Sequence, residues 1–284
     1  MDNKMKQLVE KDRYNVDDLI EIVKILRSEN GCPWDKVQTH KSIKKDFIEE
    51  VYEVLEAIDC DSPEMMREEL GDVLLQVVFH TVIENEQGHF NLDDVTTELC
   101  EKLIVRHPHV FGDVEADNVD KVLKNWDAIK KETKGQETYT DTLKSVPKNF
   151  PALMRAQKLG KRSSRARIDY QPDKEGIIQS VNGVEGELSE LRKFLEDEND
   201  SAKQKSALGD LLFACCNMAR AMGVDAEEAL SEANDRYLKH FEQAENEAKR
   251  KGKDISSLSI NELDALWRKV WIILEVKNDK GRFD

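Results

Sequence analysis

The chain has little of what builds turns, strands and cross-linked frameworks. Aromatic residues make up 6% of its 284 positions, with only 13 glycines and 6 prolines. So few breakers and ring side chains argue against a many-stranded β architecture and for long helices. The five cysteines, Cys32, Cys60, Cys100, Cys215 and Cys216, are odd in number and include no C-x-x-C pair. A fully paired disulfide framework is thereby excluded, and reduced cytosolic thiols are expected. No apolar run approaches the ~20 residues of a membrane span. Met1–Asp12 is too polar and charged for a signal peptide, so a cytoplasmic protein with no membrane partner is expected. No Gly-x-x-x-x-Gly-Lys-Ser/Thr loop is present, so any phosphate handling must come from metal and side chains. Positive charge is also short: 43 Lys and Arg against 58 Asp and Glu give −15, which excludes a general binder of duplex nucleic acid.

What the chain does have is charge and helical periodicity. Charged residues reach 36% and hydrophobic residues 39%, a balance that suits long solvated helices around a modest core. Residues 1–14 read as a frayed or helical lead-in. Leu19, Ile22, Val23 and Leu26 recur at helical spacing across Val16–Ser28, before Asn30-Gly31 and Pro33 stop the pattern. Gly31–Asp35 then reads as a fixed turn, with Thr39 as a cap for the next helix. Ser42–Ile58 is an amphipathic helix. Pro63–Asn85 is a longer one whose later part, Val73–Ile83, is apolar enough for the centre of a bundle. Leu92–Val105 and Val119–Glu132 complete a first set, separated by the break at Arg106-His107-Pro108-His109. Cys215 and Cys216 sit in an apolar helix and read as core.

Thr133–Phe150 is polar and contains Gly135 and Pro147, which suits a linker. The expected organisation is a first unit over 1–134, a linker over 135–150 and a second unit over 151–284. The pattern returns after the linker. Ala207-Leu208-Gly209-Asp210 repeats Glu69-Leu70-Gly71-Asp72, Gly186–Glu190 repeats Glu49–Glu53, and Trp267 echoes Trp126. The elements keep their order, so the chain reads as two copies of one helical domain.

The chemistry concentrates between Glu49 and Asp72, where ten acids face one base, Arg67. Positions three and four apart share a helix face, so Glu50 and Glu53 on one helix can oppose Glu69 and Asp72 on the next. A solvated acidic face, or carboxylates at a helix N-terminus, would give similar counts. Apolar flanks favour a bound cation, because like charges held together beside apolar residues are costly. Carboxylate oxygens select Mg²⁺, with Mn²⁺ as the alternative. A di-iron bundle needs Glu-x-x-His on two helices, and the single match, Glu86-Gln87-Gly88-His89, crosses a glycine. Lys102 and Arg106, four apart, and Lys130, four after Trp126, are candidates for the outer oxygens of an anionic substrate. Trp126 is a candidate for stacking on a base. Solvent-facing cations and a core tryptophan are the plainer readings of the same residues.

These stretches closely resemble the MazG family of nucleoside triphosphate pyrophosphohydrolases over nearly the full length. The resemblance rests on Glu29–Lys36, Glu49–Glu53, Glu69–Asp72, Arg106–Phe111, the Trp126 region and Pro151–Lys158. It implies an all-α protein of two tandem helical-bundle units that pair into a homodimer. It also implies Mg²⁺-dependent hydrolysis of nucleoside triphosphates, ATP among them, to the monophosphate and pyrophosphate. By the same resemblance Glu50, Glu53, Glu69 and Asp72 are metal ligands and Lys102, Arg106, Trp126 and Lys130 contact substrate. Glu49 would activate water or stand behind the ligands.

In the second unit the resemblance maps ligands to Glu187, Glu190 and Asp210 and substrate contacts to Arg236 and Trp267. That unit departs from the pattern. Gly186 and Ala207 replace acids, and His240 and Trp271 replace bases. The best-known two-unit relatives are regarded as catalytic in the second unit, whereas here the first keeps the full set. Two other readings stand beside this one: a non-catalytic nucleotide-sensing dimer, and a narrower pyrophosphatase acting on dUTP or a phosphoribosyl nucleotide.

Overall fold

The structure is a computed structural model that describes residues 3–114, 118, 121–122, 126, 129, 137–166, 169–195 and 200–280. The described residues form α-helices joined by turns and short 3₁₀ segments, with no strand among them. The all-α expectation holds. The chain divides into two compact units, Met1–Lys130 and Lys131–Asp284.

In the first unit the lead-in is helical as α1 (Asn3–Val9), followed by α2 (Val16–Arg27). Asn15 opens α2 with a reciprocal capping box, its side chain accepting from the Asp18 N–H while Asp18 accepts from the Asn15 N–H. The turn expected after α2 is tight at Gly31, where a Cβ would lie 2.3 Å from the carbonyl oxygens of Ile25 and Leu26. Arg27 ties this turn down. Its guanidinium donates to the backbone oxygens of Asp35 and Gln38 and forks onto both Glu86 carboxylate oxygens at 2.8 Å. Thr39 does not cap the next helix directly. It exchanges side-chain and backbone hydrogen bonds with Ser42, and the helix starts two residues later.

Helices α3 (Lys44–Asp59) and α4 (Pro63–Glu86) form the hairpin that carries the acids. The connection is short because Asp61 adopts φ +48°, Ser62 accepts from the Met65 N–H, and Pro63 occupies the first turn of α4. Gly88, at φ +74°, ends α4. Asn91 then caps α5 (Leu92–Arg106) with a second capping box, and Pro108 starts the short α6 (Pro108–Phe111). Val23, Ile43, Val78, Phe79, Val82 and Ile83 make the core of this unit, with Leu19, Ile20, Leu75 and Leu92 against it. The apolar stretch Val73–Ile83 thus supplies the centre, as its composition predicts. Of the helix expected over Val119–Glu132, the described residues Lys121, Val122, Trp126 and Ile129 are helical.

In the second unit the stretch read as linker carries α7 (Tyr139–Lys144). Thr138 and Asp141 form its capping box, and Arg162 holds its end through hydrogen bonds to the Thr142 carbonyl and the Ser145 hydroxyl. Val146, just beyond, is buried. Then come α8 (Ala152–Ser163), α9 (Lys174–Leu195), α10 (Ser201–Ala221), α11 (Ala226–Arg250) and α12 (Ile260–Lys280). Helix α10 packs on α9 and α8, as α4 packs on α3 and α2, and α11 follows α10 as α5 follows α4. The repeat seen in the sequence is therefore a repeat of packed pairs. Ala244, Ala248, Leu266 and Val270 bury the seam between α11 and α12, and Cys216 is buried in α10.

Candidate metal centre

Glu50 and Glu53 project from α3 one turn apart, and Glu69 and Asp72 project from the second and third turns of α4. The hairpin brings them together. One ligand oxygen from each of Glu50, Glu69 and Asp72 lies within 4.8 Å of the others, the one such group of three acids, histidines or cysteines among the described residues. Glu53 is the fourth member by its electrostatics, since it pushes both Glu50 and Glu69 upward.

The electrostatics follow from this crowding. Burial pushes the Glu50 carboxyl above its ordinary value, and the charges of Asp72 and Glu53 push the same way, while Gln76 acts against them. Glu69 is also raised, first by burial and then by Glu53, Glu68 and Asp72. No lysine or arginine figures among the causes at either residue. Oxygen-only donors, packed this closely without a counter-charge from the protein, fit a hard divalent cation.

Glu49 precedes Glu50 on α3, is exposed, and contributes to neither shift. Lys102 is exposed on α5. Arg106, at the end of α5, places its guanidinium 5.3 Å from the centre of the Trp126 ring, and His107 meets the same ring edge-on at 4.9 Å. Trp126 and Arg106 therefore sit together, whereas the sequence spacing pairs Arg106 with Lys102 and Trp126 with Lys130. Lys130 lies outside the described residues.

The second unit has a different character at the matching places. Glu187, Glu190 and Asp210 do not form a three-carboxylate group among the described residues. Glu190 pairs with Lys193 at 2.5 Å, and Ala207, buried, puts a methyl where the first unit has Glu69. Arg236 is exposed and pairs with Glu232 at 3.3 Å. Trp267 packs on the α11–α12 core beside Tyr237 and His240, and His240 stacks on Trp271 at 4.5 Å. A cavity of about 970 Å³ opens in this unit beside Tyr170, Gln171, Phe213 and Asn217, but it holds none of the residues singled out from the sequence. The carboxylates of the first unit sit instead on an open helix face.

Two polar features escaped the sequence reading. Gln76 is buried within the apolar stretch of α4, its Oε1 without a hydrogen-bond partner, and acts against the rise of the Glu50 carboxyl. His40, His80, Glu84 and His89 form a linked cluster beyond it. Their signal was the four-residue spacing Asp72, Gln76, His80, Glu84, a polar ridge along an otherwise apolar helix.

Fold and site together define an all-α protein built from repeated helical hairpins, one of which gathers four carboxylates. Residues 38–111 match the family model of the MazG nucleotide pyrophosphohydrolase domain. The chain is 38% identical over 259 residues to the nucleoside triphosphate pyrophosphohydrolase of Escherichia coli K12, covering 90% of this chain and 96% of that protein. It is 40% identical over 253 residues to the nucleoside triphosphate pyrophosphohydrolase/pyrophosphatase MazG of Thermotoga maritima, covering 89% and 94%. Similarity to the protein YabN of Bacillus subtilis is 41% over 246 residues, covering 87% of this chain and 49% of that protein. The chain belongs to the MazG family.

Proposed function

We propose that this protein hydrolyses nucleoside triphosphates, ribo- or deoxyribo-, to the nucleoside monophosphate and pyrophosphate with Mg²⁺, and with Mn²⁺ as the alternative ion. The observation that carries the reading is the approach of Glu50, Glu69 and Asp72 to within 4.8 Å with no protein cation among them. Glu50, Glu53, Glu69 and Asp72 would hold the ion. When bound, it neutralises phosphate charge and acidifies water for attack on the α-phosphorus. Glu49, on the solvent side of α3, accepts the proton of that water. Arg106 and Lys102 take outer phosphate oxygens, and Trp126, already held against Arg106, stacks on the base. Lys130 completes the basic set. In the second unit Glu187, Glu190 and Asp210, with Arg236 and Trp267, form a weakened copy. The Glu190–Lys193 pair and the buried Ala207 support that reading.

The active form is a homodimer. Ile48, Val51, Tyr52, Leu55 and Ile58 of α3, with Leu70 and Leu74 of α4, leave an apolar face exposed on the hairpin that carries the acids. The substrate is a free nucleotide in the cytosol rather than nucleic acid or membrane. All five cysteines are free thiols, the net charge is −15, and among the described residues no single helix is long and apolar enough to cross a membrane.

Pyrophosphate release from each nucleoside triphosphate, measured with Mg²⁺ for Glu53→Ala and Glu190→Ala, tests the assignment. Activity is expected to fall by at least about 10²-fold in the first variant, as for loss of a group essential to charge stabilisation, and to persist in the second. Full activity in Glu53→Ala with loss in Glu190→Ala would move the site to the second unit.

A further inference from the structure

The two units carry one cavity at the same register, with opposite charge. In the first unit a cavity of about 290 Å³ is lined by Asp17, Ile20, Glu21 and Lys24 of α2 and by Val82 and Asn85 of α4. In the second a cavity of about 380 Å³ is lined by Met154, Gln157, Lys158 and Lys161 of α8, by Arg220 of α10 and by Gly223 just beyond it. The steps along the chain are identical: three, one and three on the first helix, then three at the second. The charge is not. Asp17, Glu21 and, from α5, Asp93 stand against Lys24 in the first unit, whereas Lys158, Lys161 and Arg220 stand against Asp225 in the second. In a chain of net charge −15 that is a local reversal.

These cations are not spent on the protein. Neither the Lys158 nor the Lys161 ammonium has an ion-pair or hydrogen-bond partner among the described residues. The Arg220 side chain is only 10% exposed, and its Nη2 is fixed by Asp169 at 3.1 Å and the Tyr170 carbonyl at 2.9 Å. Its Nε is buried with no partner, and a buried donor left unpaired is costly. Packing alone does not require a cation there, since the first unit has Val82 at the matching place. The nearby acids are engaged elsewhere. Asp225 accepts from the N–H groups of Glu227 and Glu228, and Glu227 accepts from the Met154 N–H at 3.3 Å. The walls are held in advance, because Gln157 accepts from the Ala226 N–H at 3.1 Å and donates to the Val224 carbonyl at 2.8 Å. We infer that this cavity of the second unit is an anion site that takes a phosphate group, with Lys158 and Lys161 on its outer oxygens and Arg220 at its buried side. Free phosphate, pyrophosphate and the phosphate of a nucleoside monophosphate share that chemistry. The site is separate from the carboxylates: Arg220 lies about 15 Å along α10 from Asp210.

Calorimetric titration of the full chain in chelator tests the site, with inorganic phosphate, pyrophosphate and AMP as probes. Chelator removes any metal-bridged binding at the carboxylates of the first unit. Wild type is compared with Lys158→Ala/Lys161→Ala, both exposed positions, with Lys158→Arg/Lys161→Arg, and with Glu53→Ala. The double alanine variant is expected to raise the dissociation constant about tenfold or more, as for lost hydrogen bonds to a charged group, at an unchanged melting temperature of the ligand-free chain. The double arginine variant and Glu53→Ala should bind as wild type does. Added salt should weaken binding by screening the exposed ammoniums. Pyrophosphate bound tightest assigns a diphosphate, AMP a nucleotide phosphate, and phosphate the free ion. Wild-type affinity in the double alanine variant, or no heat with any probe, overturns the site. Binding lost in Glu53→Ala also overturns it, since the anion would then sit at the carboxylate centre.

Discussion

His40 and His80 meet through their Nδ1 atoms at 2.7 Å, with their rings stacked 5.0 Å apart and 9° from parallel. Two facing ring nitrogens share one hydrogen, so the two Nδ1 atoms cannot both be protonated while the contact lasts. On the far side of the ring, His40 Nε2 lies 2.6 Å from one oxygen of Glu84, whose other oxygen is 2.6 Å from His89 Nδ1. Phe47 closes the cluster from α3. The arrangement joins the turn before α3, the end of α4 and the loop beyond it.

This cluster makes the first unit sensitive to acid. Burial, and then the charge of His40, hold His80 below its ordinary value of 6.5. The unfolded chain therefore takes up a proton at His80 before the folded chain does. The stability this contributes is present above pH 6.5 and is lost as pH falls through the lowered folded value. Glu84, held low first by His89, loses its contribution further down, below 4.5. The melting temperature should thus fall on acidification below pH 6.5, and His80→Phe, which keeps a ring on Phe47 without a titrating nitrogen, should flatten that slope. Thermal melts across a buffer series decide it. An unchanged slope in the variant would remove the cluster as the cause.

The carboxylate centre should trade stability against metal binding. Glu50 and Glu69 are raised, so each contributes stability below 4.5 that is lost as pH rises through its raised value. At neutral pH the metal-free cluster is therefore strained by its own charge. Asp72→Asn removes one charge acting on both residues and should raise the melting temperature in chelator, by roughly 2–4 °C for each kcal/mol relieved in a unit of this size. Added Mg²⁺ should stabilise wild type in proportion to its saturation and stabilise Asp72→Asn far less. Scanning fluorimetry with and without Mg²⁺ reads both effects. A variant that gains as much from Mg²⁺ as wild type would show that Asp72 holds no ion.

The helices and the four acids were legible in the sequence because both are local. Glu50 and Glu53, then Glu69 and Asp72, are three apart, and helical spacing alone puts each pair on one face. Pro63 and Gly88 mark helix ends where the backbone demands them, and the Asn91 cap emerges only in the structure. Gln76 and His80 were passed over because they sit in a run whose hydrophobicity dominates the pattern. The groups they act on, Glu50 and His40, lie across the hairpin, at distances a linear reading does not see. The overall polarity of Thr133–Phe150 suggests a linker and hides α7, although Thr138 and Asp141 spell a capping box and Val146 supplies a buried anchor. In the second unit the family resemblance, not local spacing, maps a ligand to Glu190, and Lys193, one turn on, pairs with it.

The proposed homodimer places its own demand on α3. Ile48, Val51, Tyr52, Leu55 and Ile58 are between 43% and 54% exposed and recur at helical spacing on one face. Covering that face with a second copy would bury it as obligate interfaces do. Sedimentation should therefore report twice the chain mass of 32.7 kDa, and Val51→Lys with Leu55→Lys should return the single-chain mass. A doubly substituted chain that sediments like wild type would place the contact elsewhere.

Two glycines on neighbouring helices should respond to alanine in opposite directions. Replacing glycine in a helix interior by alanine ordinarily stabilises by about 1 kcal/mol. Gly209, on α10 next to Asp210, is exposed, and a Cβ added there would meet nothing within 4 Å, so Gly209→Ala should show that gain. Gly160, on α8, is buried, and its Cβ would stand 2.0 Å from Asn217 Oδ1 and 3.1 Å from Arg220 Nε. Neither neighbour can give way easily. Asn217 is 7% exposed, and Arg220 is held by Asp169 at 3.1 Å and donates to the Tyr170 carbonyl at 2.9 Å. Overpacking at such a contact costs about 1–3 kcal/mol, which outweighs the helical gain. Chemical denaturation of both variants should show Gly209→Ala shifted to higher denaturant and Gly160→Ala to lower. A stabilised Gly160→Ala would mean that α8 and α10 are not packed through this glycine.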